Sequence, residues 1–284
     1  MKTEILIRDL CFGEGPRWHD GTLWLSDMHD HKVLRLRTDA AGHASAETIV
    51  EVDHWPSGLG WLPDGDLLIV SMTDRRLLRW DGTRLAEHSD LSALASFHCN
   101  DMVVDASGRA YVGNFGFDLH AAKKPKPAEL ICVEPDGAAR IVARDMMFPN
   151  GAVITPDGRT LIVGESWASR LTAFDIADTG DLGNRRVWAE QPDGALPDGI
   201  CLDEAGGIWL ASPTTNECLR QEQGGRITHR VSLDRGAFAC MLGGPDGRTL
   251  HILTAATSDP EDCRAQRSGQ VVVCEAPYAH AGAP

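Results

Sequence analysis

The stretch TPDGRTLIVG, residues 155–164, sets an Asp-Gly turn directly before the strand-forming run TLIVG. A turn of this kind followed by apolar and β-branched residues reads as the hinge of a hairpin and its second strand. The pattern recurs at LPDGDLLIVS (62–71) and GPDGRTLHIL (244–253), and in looser form at WHDGTLWLSD (18–27), DASGRAYVGN (105–114) and DEAGGIWLAS (203–212). Its aligned glycines, Gly21, Gly65, Gly108, Gly158, Gly206 and Gly247, stand 41 to 50 residues apart. A repeat of that size without helical periodicity between turns matches one four-stranded propeller blade.

The remaining strands fall into place around each turn. First strands read as GPRW, GLGW, DMVVD, GAVIT, GICLD and CMLGG; third strands as KVLRLR, RLLRW, AELICVE, RLTAFDI, ECLRQE and QVVVCE. Fourth strands follow in five copies, and the sixth copy has none downstream. The N-terminal EILIRDL (4–10) supplies it, pairing into the last blade and removing an open sheet edge. The expected fold is therefore all-β, a six-bladed β-propeller occupying residues 1–284 as one domain, closed by its N-terminal strand.

Composition narrows the partners. Across 284 residues, 27 basic and 41 acidic side chains leave a net charge of −14, the wrong sign for a surface that tracks phosphates or anionic lipid. Neither nucleic acid nor membrane is expected. The opening MKTEILIRDLCFGEG carries Glu4 and Asp9 and no apolar core of a secretory signal, which points to a cytoplasmic protein. The eight cysteines are scattered with no CxxC pair, and read as reduced packing residues.

Because first strands line the channel of a propeller, equivalent positions in each should face the same channel end. Counting back eight residues from the turn glycine gives Ser57, Asn100, Asn150, Asp198 and Ala239, while the shorter first copy gives Glu14 at seven. Two carboxylates and two carboxamides on one ring suit a single hard divalent cation. Calcium is the first choice, with zinc, manganese or magnesium as alternatives.

The stretches GEGPRW (13–18), HCND (98–101), FPNGAVITPDG (148–158) and LPDGICLDEAGGIWLA (196–211) together resemble the gluconolactonase and regucalcin family, also called the senescence marker protein family. The resemblance covers essentially the whole chain. It implies one divalent metal at the channel mouth, held by Glu14, Asn150 and Asp198, with Asn100 facing metal and substrate and Asp101 beside it. His98 stands where members that hydrolyse sugar lactones carry an arginine that reaches substrate hydroxyls.

These residues lead to metal-assisted opening of a lactone or ester, a small-molecule substrate, with Asp198 orienting or deprotonating water and His98 as second candidate base or as a substrate contact. Two alternatives stay open: aromatic lactones, aryl esters or organophosphates at the same site, or a calcium-binding protein without catalysis. Asp27, Asn114, Glu165 and Ser166, at the ends of second strands, belong to the same rim and are candidates for the pocket wall or for plain turn chemistry. The longer segments 115–127 and 254–269 fit a lid or a surface loop. GESWA (164–168) lacks the second glycine of a nucleophile elbow, and HDH (29–31) reads as a solvated turn.

Overall fold

The computed structural model describes residues 1–38, 44–119, 121, 124–192 and 194–284. Strand β1 (Glu4–Leu10) precedes blade 1, which contains β2 (Gly13–His19), β3 (Thr22–Asp27), β4 (Lys32–Thr38) and β5 (Ala44–Glu51). Blade 2 contains β6 (Pro56–Trp61), β7 (Leu67–Ser71), β8 (Arg76–Trp80) and β9 (Leu85–Asp90). Blade 3 contains β10 (Cys99–Val104), β11 (Ala110–Asn114), β12 (Ala128–Val133) and β13 (Ala139–Met146). Blade 4 contains β14 (Pro149–Ile154), β15 (Thr160–Glu165), β16 (Arg170–Ile176) and β17 (Leu182–Glu190). Blade 5 contains β18 (Ile200–Leu202), β19 (Ile208–Ser212), β20 (Glu217–Gln221) and β21 (Ile227–Ser232). In blade 6, β22 (Gly236–Gly243), β23 (Thr249–Ala255) and β24 (Gly269–Glu275) are followed outward by β1.

The closure expected from the sequence is present. Glu4 pairs antiparallel with Val273 and Leu10 with Gly269, so the first strand of the chain completes the last sheet. The inner strands pack in a ring, β2 on β6, β6 on β10, and onward to β22, which returns to β2. Inner and second strands are largely buried because neighbouring blades cover both faces, and most of their buried polar residues gather toward the strand ends at one rim. All five residues of β7 and all six of β14 are buried. Apolar clusters fill the blade interfaces, for example Val33, Leu59 and Ile69 between blades 1 and 2.

Segment 254–269, expected as a lid or loop, contains a short helix α1 (Pro260–Gln266). The Asp259 side chain caps it by accepting from the N–H groups of Glu261 and Asp262. Its buried Cys263 faces inward, and the helix packs on the 3-10 turn Met28–Asp30. Segment 115–127 falls partly outside the described residues. Among the described residues no helix is long and apolar enough to cross a membrane.

On the opposite rim the C-terminal segment is bound as a strap. His280 bridges to Asp203 of blade 5, and Ala283 bridges to Ile154 of blade 4. The His280 N–H also donates to Gly247 of blade 6, at 2.9 Å.

Candidate functional site

The ring positions lie where the inner strands begin, and there the pairing to the second strand is irregular. Register slips between Glu14 and Arg17, Cys99 and Met102, and Pro149 and Ala152. A bulge bends a strand locally and re-aims one side chain, which here turns Glu14, Asn100 and Asn150 toward the channel. Glycines after the ring residues let the blades approach. A Cβ on Gly15, at φ +51°, would stand 2.4 Å from the Ser57 carbonyl oxygen, and one on Gly151 would stand 2.5 Å from the Ile200 nitrogen.

Glu14, Asn100, Asn150 and Asp198, from four different blades, border one cavity of about 820 Å³ including its open mouth. Their hydrogen bonds orient them. The Asn150 amide nitrogen donates to Ser166 Oγ (3.2 Å), which itself donates to the Pro197 carbonyl (2.7 Å). The Asn100 amide nitrogen donates to the Pro149 carbonyl at 3.4 Å. Each amide nitrogen thus has an acceptor within the protein. Burial, with the charges of Asp198 and Asp101, pushes the Glu14 carboxyl well above the usual carboxylate range. Asp198 is pushed up to about 8 by burial, opposed by a contact from the Asn150 side chain and reinforced by the Asp101 charge.

The donor set fits a hard cation: oxygen atoms only, two of them carboxylates whose mutual repulsion a positive charge would relieve. Ser57, at the ring position of blade 2, is fully buried, and its hydroxyl has no hydrogen-bond partner among the described residues. Ala239, the sixth ring position, is buried in the apolar core, and its neighbour Phe238 reaches the cavity instead. Among the described residues no group of three or more His, Cys, Asp or Glu is arranged to hold a metal; this ring has two carboxylates and relies on amides for the rest.

Asp101 and His98, expected to meet substrate, do not border the cavity. Asp101 is 5% exposed and takes a 2.6 Å ion pair from Arg17 Nη2, whose Nε donates to the Leu59 carbonyl. The pair pins the inner strands of blades 1, 2 and 3 together beneath the ring. His98 stacks on Phe97 at 4.1 Å between centroids and meets Trp55 edge-on at 6.3 Å, behind the wall that Trp55 forms.

Of the second-strand candidates only Ser166 lines the cavity. Asp27 accepts from the N–H groups of Cys11 (3.1 Å) and Phe12 (2.8 Å). Asn114 donates to the Glu129 carbonyl. Glu165 is fully buried; burial alone would raise its carboxyl, but bonds from Arg170, Thr172 and the Met147 N–H hold it below the usual range. These three are turn and blade fasteners. Cys99 is buried in the core, where burial pushes its thiol up to about 12.

His29 was not expected here. The 3-10 turn after β3 brings it inward to 2% exposure, its ring 5.3 Å from Phe12 and 4.8 Å from Trp55, so the first residue of HDH borders the cavity while Asp30 and His31 stay half-buried. The apolar wall was also missed, although Phe12, Trp55, Phe148 and Leu196 each stand two residues before a ring residue. The count that finds the ring therefore finds them too.

Residues 12–256 match the family described as the SMP-30/Gluconolactonase/LRE-like region. The chain belongs to that family. Within it, the chain is 27% identical over 253 residues to Regucalcin of Gallus gallus, covering 86% of this chain and 83% of that one. It is 26% identical over 260 residues to Pentonolactonase XacC of Haloferax volcanii, covering 89% and 84%. A solved luciferin-regenerating enzyme superposes with a TM-score of 0.82 at 19% identity over 99% of this chain and 98% of that one, which establishes the shared propeller.

Proposed function

We infer that this member of the family is a metal-assisted hydrolase that opens a lactone ring at the channel mouth. The observation that carries the reading is the convergence of Glu14, Asn100, Asn150 and Asp198 on one cavity, with both amide nitrogens tied back into the protein. Lactonases among the relatives agree with it.

Glu14, Asn150 and Asp198, with Asn100, would hold the cation, calcium being favoured by the all-oxygen donor set. When bound, a divalent cation supplies Lewis-acid polarisation of the ester carbonyl. Asp198 orients the attacking water and accepts its proton as the water oxygen adds to the carbonyl carbon. The acyl carbon–oxygen bond of the ring then breaks, the proton passes to the departing alkoxide oxygen, and a hydroxy acid leaves. Asn100 positions the substrate carbonyl, and Ser166 fixes Asn150. His98 braces Trp55, and Asp101 anchors Arg17 below the ring.

The test is to follow acid release from a panel of lactones by the purified chain, before and after chelation and after adding back calcium, magnesium, manganese or zinc. Turnover lost to chelator and restored by one metal supports the reading. Chelator-insensitive turnover, or none on any lactone with any metal, overturns it.

A further inference from the structure

The ring of oxygen donors has a second ring above it. Two residues earlier in each inner segment stand Phe12, Trp55, His98, Phe148, Leu196 and Ala237. Four of these six, Phe12, Trp55, Phe148 and Leu196, border the cavity directly. The collar is extended by ring-on-ring contacts on both sides. Phe238 packs on Phe12 at 4.7 Å, and Phe115 stacks on Phe148 at 4.3 Å. Phe117 continues the second series, reaching Phe148 at 5.9 Å and Trp167 at 5.8 Å.

Backbone conformation singles out two collar members. Trp55 has φ +51° and Phe148 φ +61°, a left-handed region that bulky side chains rarely adopt. Such strain persists where the surroundings require a particular side-chain direction. Both residues precede a proline, in WPSG and FPNG, and both side chains border the cavity. At the mouth Trp167 keeps 44% of its surface exposed, an apolar face left open toward solvent.

The carboxylates and carboxamides among the described lining residues are confined to the floor. Above the four ring residues, the polar side chains of the wall are His29, Ser166 and Ser258, and no arginine or lysine is among the described residues that line it. Ser166 already donates to Pro197 and receives Asn150. A polyhydroxylated ring would bury several hydroxyls against aromatic faces with few partners, an unfavourable exchange. An aryl or alkyl group would instead give up water for a preformed apolar surface.

We propose that the collar selects uncharged lactones bearing an aryl or alkyl substituent, the ester resting on the polar floor and the substituent lying between Phe12, Trp55 and Phe148. This rests on the hydrolase reading for the chemistry, whereas the selection itself is a binding property.

Two measurements separate them. Binding of non-hydrolysable δ-lactams carrying a phenyl, a hexyl or a glucose-like polyol substituent is titrated by calorimetry on the full chain. Opening of the matching δ-lactones is followed with calcium present. The phenyl and hexyl lactams should bind at least about tenfold more tightly than the polyol lactam. Equal or tighter binding of the polyol lactam, or no binding of any lactam, overturns the collar even if lactones are opened. Apolar lactams bound in the expected order while no lactone is opened would support the collar and remove the hydrolase reading. Leu196→Arg should narrow the preference about tenfold by placing a cation in the collar, and the exposed Trp167→Ala should weaken the phenyl lactam without unfolding the chain. A preference unchanged in both folded variants counts against the proposal.

Discussion

At the scale of single residues, the site holds like charges in a buried place. Glu14 and Asp198 repel one another across the ring, and Asp101 adds to the repulsion although Arg17 holds its charge. Asp198→Asn should therefore keep the fold, raise the melting temperature of the metal-free protein by a few degrees, and abolish both the calcium-induced thermal shift and turnover. Differential scanning fluorimetry with and without calcium reads the first two effects. The Arg17–Asp101 pair behaves oppositely. Asp101→Ala leaves a guanidinium that is 4% exposed without its anion, and should cost about 3–5 kcal/mol in urea unfolding. A change in KM at unaltered stability would instead return Asp101 to the substrate. The ring was legible because turn glycines set a register that can be counted. The Asp101 partner was not, since Arg17 lies 84 positions away and only the closed ring brings the two together. His29 was missed for a local reason: a 3-10 turn turns its side chain inward where loop polarity suggests solvent.

The second strands were legible as elements because runs such as Leu67–Ser71 and Thr160–Glu165 place consecutive apolar residues next to a Gly turn, and the other strands were found by counting from them. The helix α1 was not, being only seven residues within a polar segment. Its start was nevertheless written in Asp259-Pro260-Glu261-Asp262, a capping residue, a proline and two acids in the first turn. Arg267, at its end, reaches Asp30 at 3.2 Å and the Asp9 carbonyl at 2.9 Å, so the helix ties blade 6 to the turn that carries His29. Asp259→Ala should weaken this tie by about 1 kcal/mol. Hydrogen exchange is expected to quicken across residues 258–267 and in the Met28–Asp30 turn, with the global melting point little changed. Exchange that rises uniformly across all blades would show that the helix does not act locally.

For the molecule as a whole, one source of acid sensitivity is the burial, full or partial, of imidazoles. Burial lowers His19, His88 and His280, and lowers His251 to about 4 from an ordinary 6.5. A histidine whose folded value is depressed binds fewer protons folded than unfolded, so its contribution is complete above about pH 6.5 and is lost as pH falls toward 4. His251 alone accounts for about 3 kcal/mol over that window. Between pH 7 and pH 4.5 the urea midpoint of His251→Gln should gain on that of the parent chain, because the raised Glu14 and Asp198 carboxyls, which act in the opposite direction, are common to both; parallel curves would remove this histidine from the account. Removing residues 276–284 should lower the melting point through loss of the strap across blades 4, 5 and 6, while lactam binding at the other rim persists. The ring itself was legible from the repeat, and its closure from a strand missing at one end and spare at the other. That closure also sets a timetable. The partners Glu4 and Val273 lie 269 residues apart, and at ~5–20 residues per second β1 waits roughly 13–54 s for β24 to emerge. Throughout that interval its hydrogen-bonding edge is open to other nascent chains, so a chaperone that covers β1 until β24 emerges should raise the folded yield.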